Sequence, residues 1–333
     1  MFPGRQAVYH FRDEQLGLSM FFVRDSHGDA GISIGGCRAK HYQSEMAALE
    51  DARRLARNMT YKYKAIGLGF GGLKAVVYQL DDARRPESFR RIGEWLEQFD
   101  GSCYLGTDVG TCDEDMSRAA EVSPHIIGGP VTVEGGTFAQ LAATGVIEGL
   151  RSALMLPPTE SNLQGRSGFV IGLGNIGIEI ASQLILAGCT VSGYDPRRDR
   201  RVIAEAIGVE WKSSHLHGQY DFVIPCGYGG DISGRDATRI ETRAIGGAAN
   251  NPLQAGAEEI LTDRGIRYSP DFIISSGAIV LDDRIVSGER ATIAEGLQRL
   301  HRIPLLLSYV FLESQRTKRL PSEIAAWAIG VDS

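Results

Sequence analysis

The segment Gly168-Phe-Val-Ile-Gly172-Leu-Gly174-Asn175-Ile176-Gly177 sets an apolar run directly before three glycines spaced Gly-x-Gly-x-x-Gly, and an amphipathic run directly after them. A strand, a tight turn and a helix in immediate succession open a doubly wound parallel sheet. Gly172 permits the turn, Gly174 lets backbone approach a pyrophosphate, and Gly177 lets helix and strand pack closely. The helix N-terminus then offers its amides to phosphate. A second strand, Thr190 to Tyr194, ends at Asp195, eighteen residues past Gly177, where an acid can accept ribose hydroxyls. The expectation is a dinucleotide site. Asp195 favours NAD, because a carboxylate repels a 2′-phosphate. The arginines at 197, 198, 200 and 201, read as a solvated helix start, leave NADP open.

One such unit does not account for 333 residues, a length that predicts two domains. The formal charge of −6, with no basic stripe, argues against a nucleic-acid partner. The five cysteines form no CxxC pair and fit reduced thiols. No basic region followed by an apolar run opens the chain, and its most apolar stretch, Phe169 to Ala187, carries Asn175, Glu179 and Gln183. A cytoplasmic protein that meets no membrane and binds no metal is expected.

Ahead of the glycine motif, Leu18 to Ile34 reads as a hairpin around an Asp-Ser-His-Gly-Asp turn. Ser44 would cap an amphipathic helix carrying Met46, Leu49, Ala52, Ala56 and Met59 on one face. A strand at 75–80, a helix at 86–99 and a strand at 102–105 complete a mixed α/β domain, and 137–156 again steps at helical spacing. The Pro- and Ser-rich run 157–165 marks a boundary or linker. Strands at 222–225, 244–249 and 266–270 continue the parallel sheet. The fold class is therefore α/β: an N-terminal mixed α/β domain over 1–140, and a Rossmann doubly wound parallel-sheet domain over 141–299. The helical tail 300–333 is expected to rejoin the first domain.

Six lysines stand against a positive charge otherwise carried by arginine. Lys62 follows Asn-Met-Thr-Tyr at a helix end, and Lys74 follows Gly67-Leu-Gly-Phe-Gly71-Gly72-Leu. Backbone that can approach a small ligand, with a second cation nearby, would turn such a lysine into a usable amine base. Solvated lysines beside turns fit the same residues, and the residues alone leave both readings standing.

Taken together, GISIGGCR (31–38), NMTYK ending at Lys62, GLGFGGLK ending at Lys74, GTDVGT (106–111), GLGNIG (172–177), PCGYGG (225–230) and GGAANNPL (246–253) resemble, in order, the leucine, phenylalanine, valine and glutamate dehydrogenases. The resemblance implies NAD-dependent, reversible oxidative deamination of an L-amino acid to its 2-oxo acid and ammonia. It implies Lys74 as the base that activates water, with Asp108 shuttling protons beside it. Lys62 would hold the substrate carboxylate, helped by Gly35 and Gly36, with Met59 and Asn250 also at the substrate. Asn175, Ile176, Cys226, Gly227, Asn250 and Ser275 would join Gly172, Gly174, Gly177 and Asp195 around the cofactor. The resemblance also implies that the first domain is the catalytic and dimerisation domain, through which a homo-oligomer, dimer or higher, is built.

Gly106 in GTD is similar to phenylalanine dehydrogenases and would leave room for a bulky apolar or aromatic side chain, with Ile34, Met59, Ile279 and Leu281 as pocket walls. The resemblance breaks in two places. The family's usual Asn-Pro-Ser-Pro-x-Thr run is Thr137-Phe-Ala-Gln-Leu-Ala142 here, and its Asn-Ala-Gly-Gly is Ser275-Ser-Gly-Ala278. Those changes keep two alternatives open: an imine or amine oxidoreductase of specialised metabolism, and a catalytically retired cofactor-binding homologue. A hydroxyacid dehydrogenase would need an acid-paired histidine, and none of the seven histidines lies in such a motif.

Overall fold

Backbone pairing divides the strands between two sheets. The computed structural model describes residues 6–26, 28–127, 133–155, 163–214, 216 and 218–331. His27, His215, His217 and most of the 157–165 run lie outside them. By proximity the chain forms two units, one of Met1–Glu134 with Asp282–Ala291, the other of Gly135–Leu281 with Thr292–Ser333.

The first unit holds β1 (Ala7–Asp13), β2 (Leu18–Arg24), β3 (Ser33–Ala39), β4 (Gly71–Gln79), β5 (Cys103–Thr107) and β6 (Ile126–Ile127) in the order β1-β2-β4-β3-β5-β6. The expected hairpin does not form. β2 and β3 are separated by β4, which runs antiparallel to β2 and parallel to β3. Three helices cover this sheet: α1 (Glu45–Ile66), α2 (Arg85–Leu96) and α3 (Asp113–Ala120).

Ser44 caps α1 by accepting from the Ala47 amide, and Gly67 ends the helix at φ 75°. Ala48, Ala52 and Ala56 recur at four-residue steps along its buried face. These small residues let α1 settle onto β4. A β-carbon on Gly72 would lie 2.0 Å from the Ala56 carbonyl oxygen and 2.4 Å from the Thr60 amide nitrogen. The helix carrying Lys62 and the strand carrying Lys74 therefore meet backbone to backbone.

The second unit opens with α4 (Phe138–Ala153), whose Thr137 and Gln140 cap each other reciprocally. Its strands are β7 (Ser167–Ile171), β8 (Thr190–Tyr194), β9 (Glu210–Trp211), β10 (Gln219–Pro225), β11 (Glu241–Ile245) and β12 (Arg267–Tyr268). They are all parallel and ordered β9-β8-β7-β10-β11-β12. That order reverses direction between β7 and β10, the switch point beyond whose strand ends ligands bind in open α/β sheets. α5 (Asn175–Leu186), α6 (Arg200–Ala206), α7 (Gly234–Arg239), α8 (Ala257–Asp263) and α9 (Asp271–Ile274) follow their strands, and a 3₁₀ turn spans Ser276–Ile279.

The last helices are α10 (Asp282–Val286), α11 (Ile293–Arg299), α12 (Arg302–Thr317) and α13 (Pro321–Ala328). The tail was expected to rejoin the first domain, and here the structure differs. α12 packs on α4, α9 and α13, and an added β-carbon on Gly149 of α4 would stand 2.9 Å from Leu307. The tail thus completes the second unit. The segment Asp282–Ala291 is what returns to the first.

Asp282 anchors that return. Its carboxylate accepts a 2.5 Å hydrogen bond from the hydroxyl of Tyr63, a fully buried residue of α1. Burial pushes Asp282 up to about 7, against the lowering effect of the Tyr63 bond. The folded protein therefore holds this proton more tightly than the unfolded chain does, at the ordinary 3.8. Its stabilisation is complete below about pH 4 and is lost as pH rises through about 7. In urea titrations across that window, Asp282→Asn should lose part of the decline in stability shown by the parent. Gly72→Ala should cost about 1–3 kcal/mol by the same measurement, since backbone on both sides must move.

Candidate active site

β3 and β4 lie in parallel register, with Gly36 opposite Lys74. A β-carbon on Gly35 would stand 1.7 Å from the Leu73 carbonyl oxygen, so only glycine fits there. A β-carbon on Gly36 would fall 2.9 Å from Asp108 Cβ and 3.2 Å from Lys74 Nζ. Bare backbone at Gly36 thus faces an amine and a carboxylate together. Lys74 Nζ lies 2.5 Å from Asp108 Oδ2, with the lysine buried at 3% exposure. Asp108 follows β5, and its amide donates to the Thr111 hydroxyl, which in turn donates to the Cys37 carbonyl. That turn fixes the carboxylate over β3.

Electrostatics set the proton inventory. Burial lowers Lys74 below the ordinary lysine value; Asp108 opposes the shift and Arg38 adds to it. Burial alone would raise Asp108, but Lys74 and Arg38 beside it hold its carboxyl well below the usual range. The site therefore carries an anion and an amine whose proton is loosened. Lys62 is also buried, on the penultimate turn of α1, and Met59 is half-buried one turn before it.

Two participants were not singled out from sequence. Arg38 Nε donates to Asp108 Oδ2 at 2.9 Å, and its Nη1 donates to Asp51 Oδ2 at 3.2 Å. Asp51, on α1, also accepts from Tyr42 at 2.7 Å and Arg54 at 2.7 Å, with Lys40 at 3.7 Å. Arg38 stands inside the GGCR run, and its 2% exposure is what a lone strand arginine in an apolar context could have signalled.

Gly106 has a different neighbour from the one expected. An added β-carbon would meet the Ile127 carbonyl oxygen at 2.9 Å and its side chain at 3.7 Å. The missing side chain makes room for β6, a packing reason for the glycine that needs no substrate. Of the expected pocket walls, Ile34 and Leu281 are core residues at 2% and 0% exposure.

In the second unit, Gly172 takes φ 93° against the Cys226 backbone, and a β-carbon on Gly177 would strike the Gly172 carbonyl at 2.0 Å. Gly174 differs, for an added β-carbon would meet nothing within 4 Å. It borders open space at the start of α5, a twelve-residue helix with no side chain capping its first turn. Uncapped amides beside bare backbone suit a pyrophosphate. Asp195 closes the turn: Oδ2 accepts from the Leu173 amide at 2.7 Å and Oδ1 from the Arg197 amide at 2.8 Å. Each oxygen retains a lone pair for a ribose hydroxyl. Of the arginine run, Arg197 pairs with Asp199 and Arg200 donates to the Leu173 carbonyl.

Cys226 and Gly227 follow β10 at the switch point, and Cys226 donates its amide to the Ile171 carbonyl. A β-carbon on Gly227 would crowd Asp231 at 2.3 Å. Ser275 is buried and donates its hydroxyl to the Asp271 carbonyl at 2.6 Å. Asn250 is half-buried in the loop after β11, among hydrogen-bonding neighbours.

The two stretches that depart from the family pattern touch each other. A β-carbon on Gly277 would lie 2.5 Å from the Leu141 carbonyl oxygen. One packing contact thus joins 137–142 to 275–278. Among the described residues, no group of three or more His, Cys, Asp or Glu could hold a metal ion, and no helix is long and apolar enough to cross a membrane.

Residues 190–283 match the family described as Glutamate/Leucine/Phenylalanine/Valine dehydrogenase, and residues 23–123 match its dimerisation domain. Phenylalanine dehydrogenase of Caldalkalibacillus thermarum is 32% identical over 315 residues, 89% of this chain and 83% of that one. Leucine dehydrogenase of Bacillus cereus is 30% identical over 284 residues, 83% and 76% of the two chains. In fold, the chain is similar to L-tryptophan dehydrogenase from Nostoc punctiforme, with a TM-score of 0.75, 22% identity and coverage of 97% and 94%. Hetero-hexameric glutamate dehydrogenase from Thermus thermophilus gives 0.78 at 20% identity, covering 98% and 87%.

Proposed function

We propose that this chain, which belongs to the glutamate/leucine/phenylalanine/valine dehydrogenase family and is an amino acid dehydrogenase, converts a bulky apolar or aromatic L-amino acid to its 2-oxo acid and ammonia, reversibly and with NAD. The observation that carries the chemistry is the Lys74–Asp108 pair, closed to 2.5 Å over the bare backbone of Gly36. The substrate class follows the relatives named for phenylalanine and leucine.

Each residue then has a task that its surroundings support. Lys62 neutralises the substrate carboxylate, helped by backbone at Gly35 and Gly36. Lys74, loosened from its proton by burial, takes the proton of a water that attacks the imine carbon. Asp108, held as an anion, receives protons from Lys74 and returns them as ammonia leaves. When bound, the nicotinamide supplies the hydride acceptor for the substrate Cα. Gly172, Gly174, Asn175, Ile176 and Gly177 would hold its pyrophosphate, and Asp195 its ribose. Cys226, Gly227, Asn250 and Ser275 would line the nicotinamide end. NAD over NADP rests on Asp195, whose carboxylate would repel a 2′-phosphate.

A homo-oligomer formed through the first unit is part of the same reading, supported by the dimerisation-domain match over 23–123. So is a cytoplasmic setting. The family match favours this reading over an imine or amine oxidoreductase with the same lysines. The Lys74–Asp108 pair favours it over a retired homologue.

The decisive experiment is a cofactor-coupled screen of L-amino acids, and of 2-oxo acids with ammonia, using both NAD and NADP forms. Turnover should appear with phenylalanine-like or leucine-like substrates; a blank panel in both directions removes the reading. In the oxidative direction kcat/KM should climb with pH through the titration of Lys74, because only the neutral amine is a base. Lys74→Ala should lower kcat about a hundred- to ten-thousand-fold. Asp195→Ala should weaken NADH binding about tenfold or more in calorimetry, with a smaller effect on NADPH.

A further inference from the structure

The carboxylate beside Lys74 does not belong to Lys74 alone. Lys74 Nζ, at 2.5 Å, and Arg38 Nε, at 2.9 Å, both bind the same oxygen, Asp108 Oδ2. Arg38 reaches that position from β3, two residues beyond Gly36. Its other end is held by Asp51, itself tied to Tyr42, Arg54 and Lys40. A continuous chain of charge runs Lys74, Asp108, Arg38, Asp51, from β4 across β3 to α1. Arg38 is 2% exposed, so solvent does little to screen it.

We infer that Arg38 is a positioning residue for the reaction: by taking a share of Asp108 Oδ2 it keeps Asp108 from holding the Lys74 proton too firmly, and so leaves Lys74 able to act as a base. The inference rests on the reading of Lys74 as that base. An isolated buried Lys–Asp pair stabilises both ions, and the amine then keeps its proton. A guanidinium cannot lose its own proton, so Arg38 acts as a fixed positive charge on the shared oxygen. It draws on Asp108 and repels a proton on Lys74. The direction of the Lys74 shift agrees, since Arg38 adds to the lowering while Asp108 and, more weakly, Asp51 oppose it.

The charged and titratable neighbours divide by element. From β3 come Arg38 and the Cys37 thiol, which burial pushes up to about 12, leaving it neutral. Asp108 comes from the turn after β5. From α1 comes Asp51, and Lys40 and Tyr42 precede that helix. Asp51 sets how far Arg38 is pulled away from Asp108, so its charge should act on Lys74 in the opposite sense to that of Arg38.

That opposition gives a test that does not depend on turnover. With six lysines in the chain, lysine isotopically labelled at Cε yields an NMR spectrum simple enough to titrate, and Lys74→Arg identifies the Lys74 signal. In Arg38→Gln the Lys74 titration should move up by about one pH unit, a tenfold change in the proton equilibrium. Arg38→Lys, which keeps the charge, should stay near the parent. Asp51→Asn should move the titration down. The ascending limb of kcat/KM should follow the same order. If Arg38→Gln fails to fold, the sign of the Asp51→Asn shift still decides. An unmoved or lowered Lys74 titration in Arg38→Gln, or an unmoved or raised one in Asp51→Asn, overturns the inference. A protein that turns over no amino acid but shows these shifts would refute the proposed function, and with it a role for Arg38 in that reaction, leaving only the effect of Arg38 on the Lys74 proton.

Discussion

At Gly35 a β-carbon would lie 1.7 Å from the Leu73 carbonyl, and at Gly72 it would lie 2.0 Å from the Ala56 carbonyl. β3, β4 and α1 consequently meet through backbone where other proteins interpose side chains. That close approach removes the space a solvated lysine would need, so Lys74 is buried and must find its counter-charge within the fold. Asp108 supplies it, and Arg38 and Asp51 follow because a buried carboxylate and a buried guanidinium each require partners. The charge network is thus a consequence of backbone packing. The second unit uses the same device, with Gly177 against the Gly172 carbonyl, to bring a helix start to the end of β7.

What could be read from the amino-acid order was what depends on near neighbours in the chain. The glycine turn after β7, the acid at the end of β8 and the Ser44 cap each need only a few adjacent residues, and each stands where the sequence places it. The reading lost force wherever a partner arrives late. Leu18 to Ile34 has the pattern of a hairpin, yet β4, beginning at Gly71, inserts between its two strands. Arg38 and Asp108 are seventy residues apart, and no local signal pairs them. A small residue such as Gly106 reveals that something approaches closely; whether that is a ligand or a neighbouring strand only the fold decides.

The helical tail illustrates the same limit. Its periodicity established that one face of α12 is buried, and gave no means of telling which of the two units buries it. The altered stretches 137–142 and 275–278 looked like two independent departures from a family pattern. Contact between Leu141 and Gly277 makes them one, since a change in the first turn of α4 must be matched by the 3₁₀ turn packed on it.

The chain passes between its units after Glu134, again after Leu281 and again after Ala291, so the first unit is assembled from two separate stretches of sequence. A fragment ending at Glu134 would contain every strand of the first sheet and still be incomplete. It would lack Asp282, leaving the buried Tyr63 hydroxyl without its acceptor in the same helix that carries Lys62. The first unit is therefore not a module that can be lifted out by a single cut. Any exchange of the second unit for another, in evolution or by design, has to carry the ten-residue return with the part it leaves behind.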